Sequence, residues 1–319
     1  MADPILVADI GGTNARFAIA THDDSRIEIK NAQTFRAVDF ETIRDAADAY
    51  LESITERPKR ACFAAAGPIL DGEVAFTNSH WHLKSSDIEA PLKLDEFKIV
   101  NDFYALASGV PHLPNHAFQA VKAGEAVADA PMLVIGPGTG LGQALIVPSP
   151  EGPKIVATEG GHVSFAPFTD EERAIRQFIA KEHPRVSVER LLSGRGLVNI
   201  HRALCTIEGA QRVSLQANEI TEAAFTGEYP IAVKAVDVFC AILGRVVGDA
   251  VLSSGARGGV ILGGGILPKI RDVFLKSGFA ACFTQKGRMS NYVDAVPVKL
   301  IIMDGAALYG AAECVKEQG

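Results

Sequence analysis

Cysteine is scarce in this chain of 319 residues. Its five copies, Cys62, Cys205, Cys240, Cys282 and Cys314, stand singly, mostly among apolar neighbours, with no CxxC pair. That pattern reads as reduced, buried thiols in a cytosolic protein. Long hydrophobic runs are also lacking, since none approaches the ~18 residues that span a membrane. The stretch Met1 to Gly12 has no basic region and carries Asp3 and Asp9 inside its apolar residues, unlike a signal peptide. Positive charge is in deficit, with 31 Lys and Arg against 38 Asp and Glu and a formal net charge of −7. Such a surface is poorly suited to nucleic acid or anionic lipid. The expectation is a cytoplasmic protein with small-molecule partners, no nucleic acid and no membrane. At 48% hydrophobic and 22% charged residues the composition is that of an ordinary globular protein. Its length exceeds the ~250–300 residues at which one core stops growing, so two lobes are expected.

Ile5 to Ile10 is an apolar run closed by Gly11-Gly12, and Arg16 to Thr21 returns as the second arm of a hairpin. Arg26 to Phe35 gives a third strand. Behind Asp39 as N-cap, Phe40, Ile43, Ala47, Tyr50, Leu51 and Ile54 recur at helical spacing. Ala61 to Ala66 and Lys98 to Asp102 are further strands, with a helical stretch Asp87 to Leu94 between them that Pro91 interrupts. The pattern then restarts: Met132 to Ile135 is closed by Gly136 to Gly142, and Gln143 to Val147 returns. Helices are expected over Asp170 to Glu182, Val188 to Thr206, Pro230 to about Leu252 and Ala306 to Lys316, with strands at Gly259 to Leu262 and Val298 to Ile302. A linker is expected around Val110 to Ala117, which Pro111 and Pro114 punctuate. The corresponding division is a small α/β domain of residues 1–110, completed by a C-terminal helix in 303–319, and a large α/β domain of 111–302.

Two glycine-rich turns carry the first chemical signal. In Asp9-Ile10-Gly11-Gly12-Thr13-Asn14 and in Gly136-Pro137-Gly138-Thr139-Gly140-Leu141-Gly142 the missing Cβ atoms let backbone N–H groups come close to a phosphate. Each alone also fits a plain hairpin turn; two, each closing an apolar strand at the start of a repeated pattern, favour phosphate binding. The chain has no GxxxxGK[ST] loop, and the second turn is not GxGxxG. The HRD and DFG pair of protein kinases is missing too. Asn101-Asp102 ends an apolar strand, where ligands bind in open α/β sheets, and an Asp there suits the base of phosphoryl transfer. An Asx turn capping the next helix fits the same pair. Glu159-Gly160-Gly161-His162 and Glu189 offer polar groups on rigid backbone that could take adjacent sugar hydroxyls in pairs. Singly they also fit a solvated turn, a structural histidine and a first-turn helix charge.

Together, Asp9 to Asn14, Asn101-Asp102, Gly136 to Gly142, Glu159 to His162, Ser187 to Gly196 and Gly259 to Gly265 closely resemble, in order and spacing, the proteobacterial glucokinase family. The resemblance runs from Leu6 to Gly310. That family lies in the hexokinase, actin and Hsp70 superfamily, so the implied fold is α/β: two ribonuclease-H-like, actin/hexokinase-type domains flanking a substrate cleft. The implied activity is transfer of the ATP γ-phosphoryl group to the 6-hydroxyl of glucose, with Mg²⁺. By resemblance, Asp102 is the catalytic base, and Asn101, Asp102, Glu159, His162 and Glu189 hold glucose, with Asn78 near it. Ala8, Asp9, Ile10, Gly11, Gly12 and Thr13 would line the ATP phosphates with Gly136, Gly138, Thr139 and Gly140, and Asp9 would reach Mg²⁺ through water. Gly263, Gly264 and Gly265 would lie near the adenosine, and the protein would be a homodimer.

Two departures from relatives stand out. Sugar kinases of the related ROK family (repressor, open reading frame, kinase) carry a Cys-rich zinc motif soon after their Glu-x-Gly-His segment. Here His162 runs into Val163-Ser164-Phe165-Ala166 with no cysteine before Cys205, so no zinc is expected. Where the family has Asp-Asn-Pro-Gly this chain has Asp304-Gly305-Ala306-Ala307, which leaves the role of Asp304 open. A sugar-sensing repressor on the same fold needs a DNA-binding segment for which the sequence before Ile5 leaves no room. An actin-like ATPase would share the phosphate turns without the sugar residues, and a kinase for another hexose remains an alternative.

Overall fold

The computed structural model describes residues 3–23, 26–67, 69, 72–76, 79–211 and 213–315. Asn78 lies outside the described residues. The chain divides into two units, one of Met1–Phe118, Ile155–Ala157 and Met303–Gly319, the other of Gln119–Lys154 and Thr158–Ile302.

The first unit is built on β1 (Ile5–Ile10), β2 (Asn14–Asp23) and β3 (Arg26–Arg36), followed by α1 (Ile43–Glu52) and β4 (Arg60–Ala65). Then come a small ribbon of β5 (Glu73–Ala75) and β6 (His82–Lys84), α2 (Ser85–Ile88), β7 (Glu96–Asn101) and α3 (Asp102–Gly109). The main sheet has the order β3-β2-β1-β4-β7, antiparallel across β3, β2 and β1 and parallel across β1, β4 and β7. Successive side chains of a strand point to opposite faces. Thus Leu6, Ala8 and Ile10 of β1 join Phe17, Phe63 and the apolar stripe of α1 in one core layer, while Ile5 and Val7 join Ala18 and Cys62 in another.

Several sequence expectations for this unit need correcting. Asp39 does not cap α1; it closes a 3-10 turn, and Thr42 is the cap. Thr42 and Asp45 form a reciprocal box, each side chain accepting from the other's backbone N–H at 3.0–3.1 Å. The helix expected over Asp87 to Leu94 is regular only at Ser85–Ile88, after which irregular turns pass through Pro91 to Lys93 at φ 54°. The strand expected at Lys98 to Asp102 ends one residue earlier, at Asn101. Asp102 is the first residue of α3. The expected linker consists of two 3-10 turns, Val110–His112 and Asn115–Ala117.

The chain continues, for the most part in the second unit, with β8 (Phe118–Lys122), β9 (Met132–Pro137), β10 (Leu141–Val147), β11 (Lys154–Thr158), α4 (Asp170–Ala180), α5 (Gly194–Ile207), α6 (Ala217–Thr226) and α7 (Pro230–Ser254). It continues through β12 (Gly259–Leu262), short helices α8 (Arg271–Phe274), α9 (Phe279–Thr284) and α10 (Ser290–Asp294), and β13 (Val298–Ile301). The sheet order is β11-β10-β9-β12-β13-β8. Hairpin β9–β10 is antiparallel and β9, β12 and β13 run parallel, which repeats the arrangement of β1, β2, β4 and β7. The helix expected from Val188 starts at Gly194. Val188–Arg190 is a separate 3-10 turn, and the Ser193 hydroxyl caps α5 by accepting from Gly196 N–H at 3.0 Å.

The chain then returns to the first unit with α11 (Ala306–Glu313), whose Leu308, Ala311 and Ala312 cover the sheet face of Ile5, Val7 and Cys62. Helices α3 and α11 touch backbone to backbone: a Cβ on Gly310 would overlap the Ala105 carbonyl, and one on Gly109 would come 2.9 Å from Ala306 O and Gly310 N. At an open helical site Gly to Ala stabilises by about 1 kcal/mol. Here the sign should reverse, with Gly310→Ala costing about 1–3 kcal/mol through overpacking. Urea unfolding would show a lower midpoint at unchanged slope, and a raised midpoint would mean that the two helices have room between them.

Candidate active site

In the first unit the fold places two candidate segments at the ends of parallel strands, the β1–β2 turn after β1 and Asn101-Asp102 at the end of β7. The β1–β2 turn is fixed by Gly11 N–H donating to Asn14 O at 2.9 Å, and Ala66 N–H donates to Ile10 O at 3.0 Å. Gly11 and Gly12 both have negative φ, so these glycines supply bare backbone rather than a left-handed turn. Thr13 is exposed, and Ala8 and Ile10 are buried in β1. Asp9 stands opposite Arg16 in the hairpin; burial pushes its carboxyl up from the usual range while the Arg16 guanidinium pulls it back down.

Asn101 ends β7 and caps α3, its Oδ1 accepting from Phe103 N–H at 2.9 Å and Tyr104 N–H at 3.1 Å. The amide Nδ2 points toward Gly67 O at 3.5 Å. Asp102 sits half-buried on the first turn of α3, and its Oδ1 accepts from its neighbour Phe103 N–H at 2.9 Å. Thus the helix-cap reading and the functional reading of this pair are compatible: the cap orients the strand end, and the positive end of the helix favours a negative charge at Asp102. Asp304 makes a long ion pair with Arg16, 3.7 Å, from an almost fully exposed side chain. Its neighbour Gly305 has φ 75°, the left-handed entry to α11 that a glycine accepts most readily.

In the second unit the glycine segments close on one another. A Cβ on Gly136 would collide with Gly263 O, and one on Gly264, at φ 79°, with Pro137 O. Gly263 N–H donates to Ile135 O at 3.0 Å, and Gly138 N–H to Gly140 O at 2.8 Å. Gly194 N–H, at the start of α5, donates to Gly138 O at 2.9 Å. Gly136 to Gly140 and Gly263 to Gly265 are therefore one backbone-lined surface, with Thr139 and Gly265 exposed upon it. The part played by Gly194 was not foreseen; Ser193-Gly194, a cap followed by a glycine, was the signal available.

The sugar candidates also meet. Glu159 precedes the 3-10 turn Gly160–His162, which lies so close on β10 that a Cβ on Gly161 would strike Leu141 O and one on Gly160 the Gln143 amide. Leu141 N–H in turn donates to Glu189 Oε2 at 2.9 Å. Val188 N–H donates to Val163 O at 2.9 Å and Ser164 bridges Ser187, which joins the two segments directly. Glu159, His162 and Glu189, from separate stretches of chain, are thus gathered about Leu141. Glu159 and His162 are exposed, 3.8 Å apart from Oε2 to Nε2, whereas Glu189 is half-buried with one oxygen committed to the turn. A carboxylate has about four acceptor positions, so capacity for hydroxyl donors remains. Among the described residues no group of three or more His, Cys, Asp or Glu is placed to hold a metal by itself.

The chain is similar to known proteins over nearly its whole length. The glucokinase family profile matches residues 6–318. A glucokinase of Hahella chejuensis is 42% identical over 98% of this chain and 97% of its own length. The crystal structure of a glucokinase from an Antarctic psychrotroph has a TM-score of 0.86 at 39% identity, covering 99% of each chain. That of glucokinase from Balamuthia mandrillaris in complex with glucose has a TM-score of 0.81 at 23% identity, covering 98% of this chain and 93% of that one, and shares the fold. The duplicated hairpin with parallel strands is thus the mixed α/β fold of actin/hexokinase type, and with a profile match and relatives at these identities over nearly the whole length, the chain belongs to the glucokinase family.

Proposed function

We propose that the chain transfers the γ-phosphoryl group of ATP to the 6-hydroxyl of glucose, with Asp102 as the general base. Family membership makes it an ATP-dependent glucose kinase. The observation that supports the residue assignment best is the gathering of Glu159, His162 and Glu189 about Leu141, next to the glycine surface of Gly136 to Gly140. Phosphoryl transfer asks the protein mainly for alignment and charge stabilisation. Asp102 accepts the proton of the attacking hydroxyl; Asn101, Glu159, His162 and Glu189 orient the sugar through hydrogen bonds. The N–H groups of Gly12 and Thr13 and of Thr139 and Gly140 take phosphate charge, Gly11 and Gly138 shape the two turns through N–H bonds within them, and Gly263 to Gly265 lie along the adenosine.

Mg²⁺ fits this chain as the nucleotide's companion. Mg²⁺ takes one or two carboxylates and keeps several waters. Asp9 is one carboxylate, beside the phosphate turn, whose charged form is disfavoured by burial and so gains from a nearby cation. Asp9 would hold the ion through water, and when bound it neutralises charge on the β- and γ-phosphates. No zinc site belongs to this reading. The protein is further read as a cytoplasmic homodimer serving glycolysis; among the described residues no helix is long and apolar enough to cross a membrane.

The purified chain should form ADP only with glucose and Mg²⁺ both present, and excess chelator should abolish turnover. ADP formation that glucose does not stimulate would overturn the assignment, and a faster rate with another hexose would reassign the substrate.

A further inference from the structure

The 3-10 turn Val188–Arg190 carries Glu189, and its backbone is held from α5 by one side chain at the helix cap and another within the helix. The Ser193 hydroxyl donates to Glu189 O at 2.9 Å, and Asn199 Nδ2 donates to Arg190 O at 3.0 Å. Ser193 is buried, and the same hydroxyl accepts from Gly196 N–H. A hydroxyl has one proton to give and lone pairs to accept with, so Ser193 does both at once. Its neighbour Gly194 donates its N–H to Gly138 O at 2.9 Å. Gly138 N–H bonds Gly140 O within the turn, and the next residue, Leu141, donates to Glu189 Oε2 at 2.9 Å. A Cβ on Gly140 would come 2.5 Å from that same oxygen. These bonds form a closed circuit. It leaves Glu189 by the side chain, crosses the turn from Leu141 to Gly138, and returns through Gly194 and Ser193 to the Glu189 carbonyl.

We propose that Ser193 is a positioning residue that couples glucose binding to nucleotide binding, by fastening the backbone of Glu189 to the phosphate turn. This role rests on Glu189 as a sugar ligand and on Thr139 and Gly140 as phosphate donors, the parts given them above. Glu189 reaches the turn by two routes. The side-chain route is lost only together with the carboxylate that is the sugar's own partner. The backbone route runs through one hydroxyl, which belongs to neither set of ligand residues. A ligand that orders one part of such a circuit lowers the cost of ordering the rest, so the second ligand binds more tightly. Coupling of this kind is reciprocal: glucose tightens nucleotide binding by the same factor by which the nucleotide tightens glucose binding.

The chemistry of position 193 separates this role from helix capping. Glycine caps a helix nearly as well as serine, and at φ −154° and ψ 178° the Ser193 backbone is extended, which glycine and threonine both adopt. Ser193→Gly therefore keeps the start of α5 and removes the hydroxyl that holds Glu189 O. Ser193→Thr keeps both the cap and the donor.

Glucose dissociation constants are measured on the whole chain by isothermal titration calorimetry, without and with saturating AMPPNP and Mg²⁺. The parent is expected to bind glucose about tenfold more tightly in the presence of the analogue. In Ser193→Gly that factor should fall to about twofold or less, whereas Ser193→Thr should keep most of it. Amide exchange on the parent gives a reading free of substitutions: glucose alone should slow exchange at Gly194, whose N–H is spent on the phosphate turn. The proposal is overturned, with the kinase reading left standing, by any of four results. These are a parent that binds glucose and analogue independently, parental coupling in Ser193→Gly, a Ser193→Thr as uncoupled as Ser193→Gly, or Gly194 exchange that glucose leaves unchanged. A parent that binds no glucose at all would remove the kinase reading itself, and this role with it.

Discussion

Asp102→Asn is expected to lower kcat by ~10²–10⁴-fold, about 3–5 kcal/mol in the barrier, with little change in the KM for glucose. The substitution keeps the shape of the side chain and an Oδ1 that can still accept from Phe103 N–H, as the carboxylate does at 2.9 Å. It leaves the Asn101 cap untouched, so the start of α3 should be preserved. What it removes is the capacity to take a proton at the strand end. Steady-state kinetics with glucose and ATP each varied, supported by a circular dichroism melt to verify folding, would decide the matter. A variant retaining more than about a tenth of the parent kcat would place the base elsewhere.

Glu159→Ala should raise the KM for glucose by about ten- to a hundred-fold, the ~1.5–3 kcal/mol expected for a charged partner of bound hydroxyls, while the KM for ATP hardly moves. Glu189→Ala should raise it by a similar factor but should also raise the KM for ATP. The difference lies in the structure: Glu189 Oε2 holds Leu141 N–H, one residue beyond Gly140, so its loss loosens the phosphate turn as well. Glu189→Gln keeps an acceptor for that N–H and should restore most of the ATP affinity without restoring glucose binding. Unchanged glucose KM in both alanine variants would dissociate these residues from the sugar.

How far the sequence reveals this architecture depends on which forces act locally. The hairpins at Ile5–Ile10 and Met132–Pro137 were legible because a short apolar run and a glycine stop act within a few residues. The starts of α1 and α5 were misplaced because several residues can cap a helix. Thr42 prevails over Asp39 through its box with Asp45, and α5 starts at Gly194 because the Ser193 hydroxyl reaches Gly196 N–H. β11 and α6 went unforeseen, the first with a burial pattern that does not alternate and the second capped by a Gln216–Glu219 box. At the site, the residue types were legible but their meeting was not. Leu141 carries no chemical signal in its side chain; its backbone N–H and C=O gather the Glu189 and Gly161 segments, and only the folded register reveals that.

The placement of α11 has a consequence for the order in which the protein can mature. During synthesis the strands of the first unit emerge first, yet the helix that covers Ile5, Val7, Ala18 and Cys62 is translated after β13. Domains usually fold as units while the chain is being made. Here the earlier unit must wait for the later one, with one apolar face of its sheet uncovered on the ribosome. A nascent chain halted after Ile302 would carry every strand of both sheets and still present that face to solvent, as a surface for chaperones or aggregation.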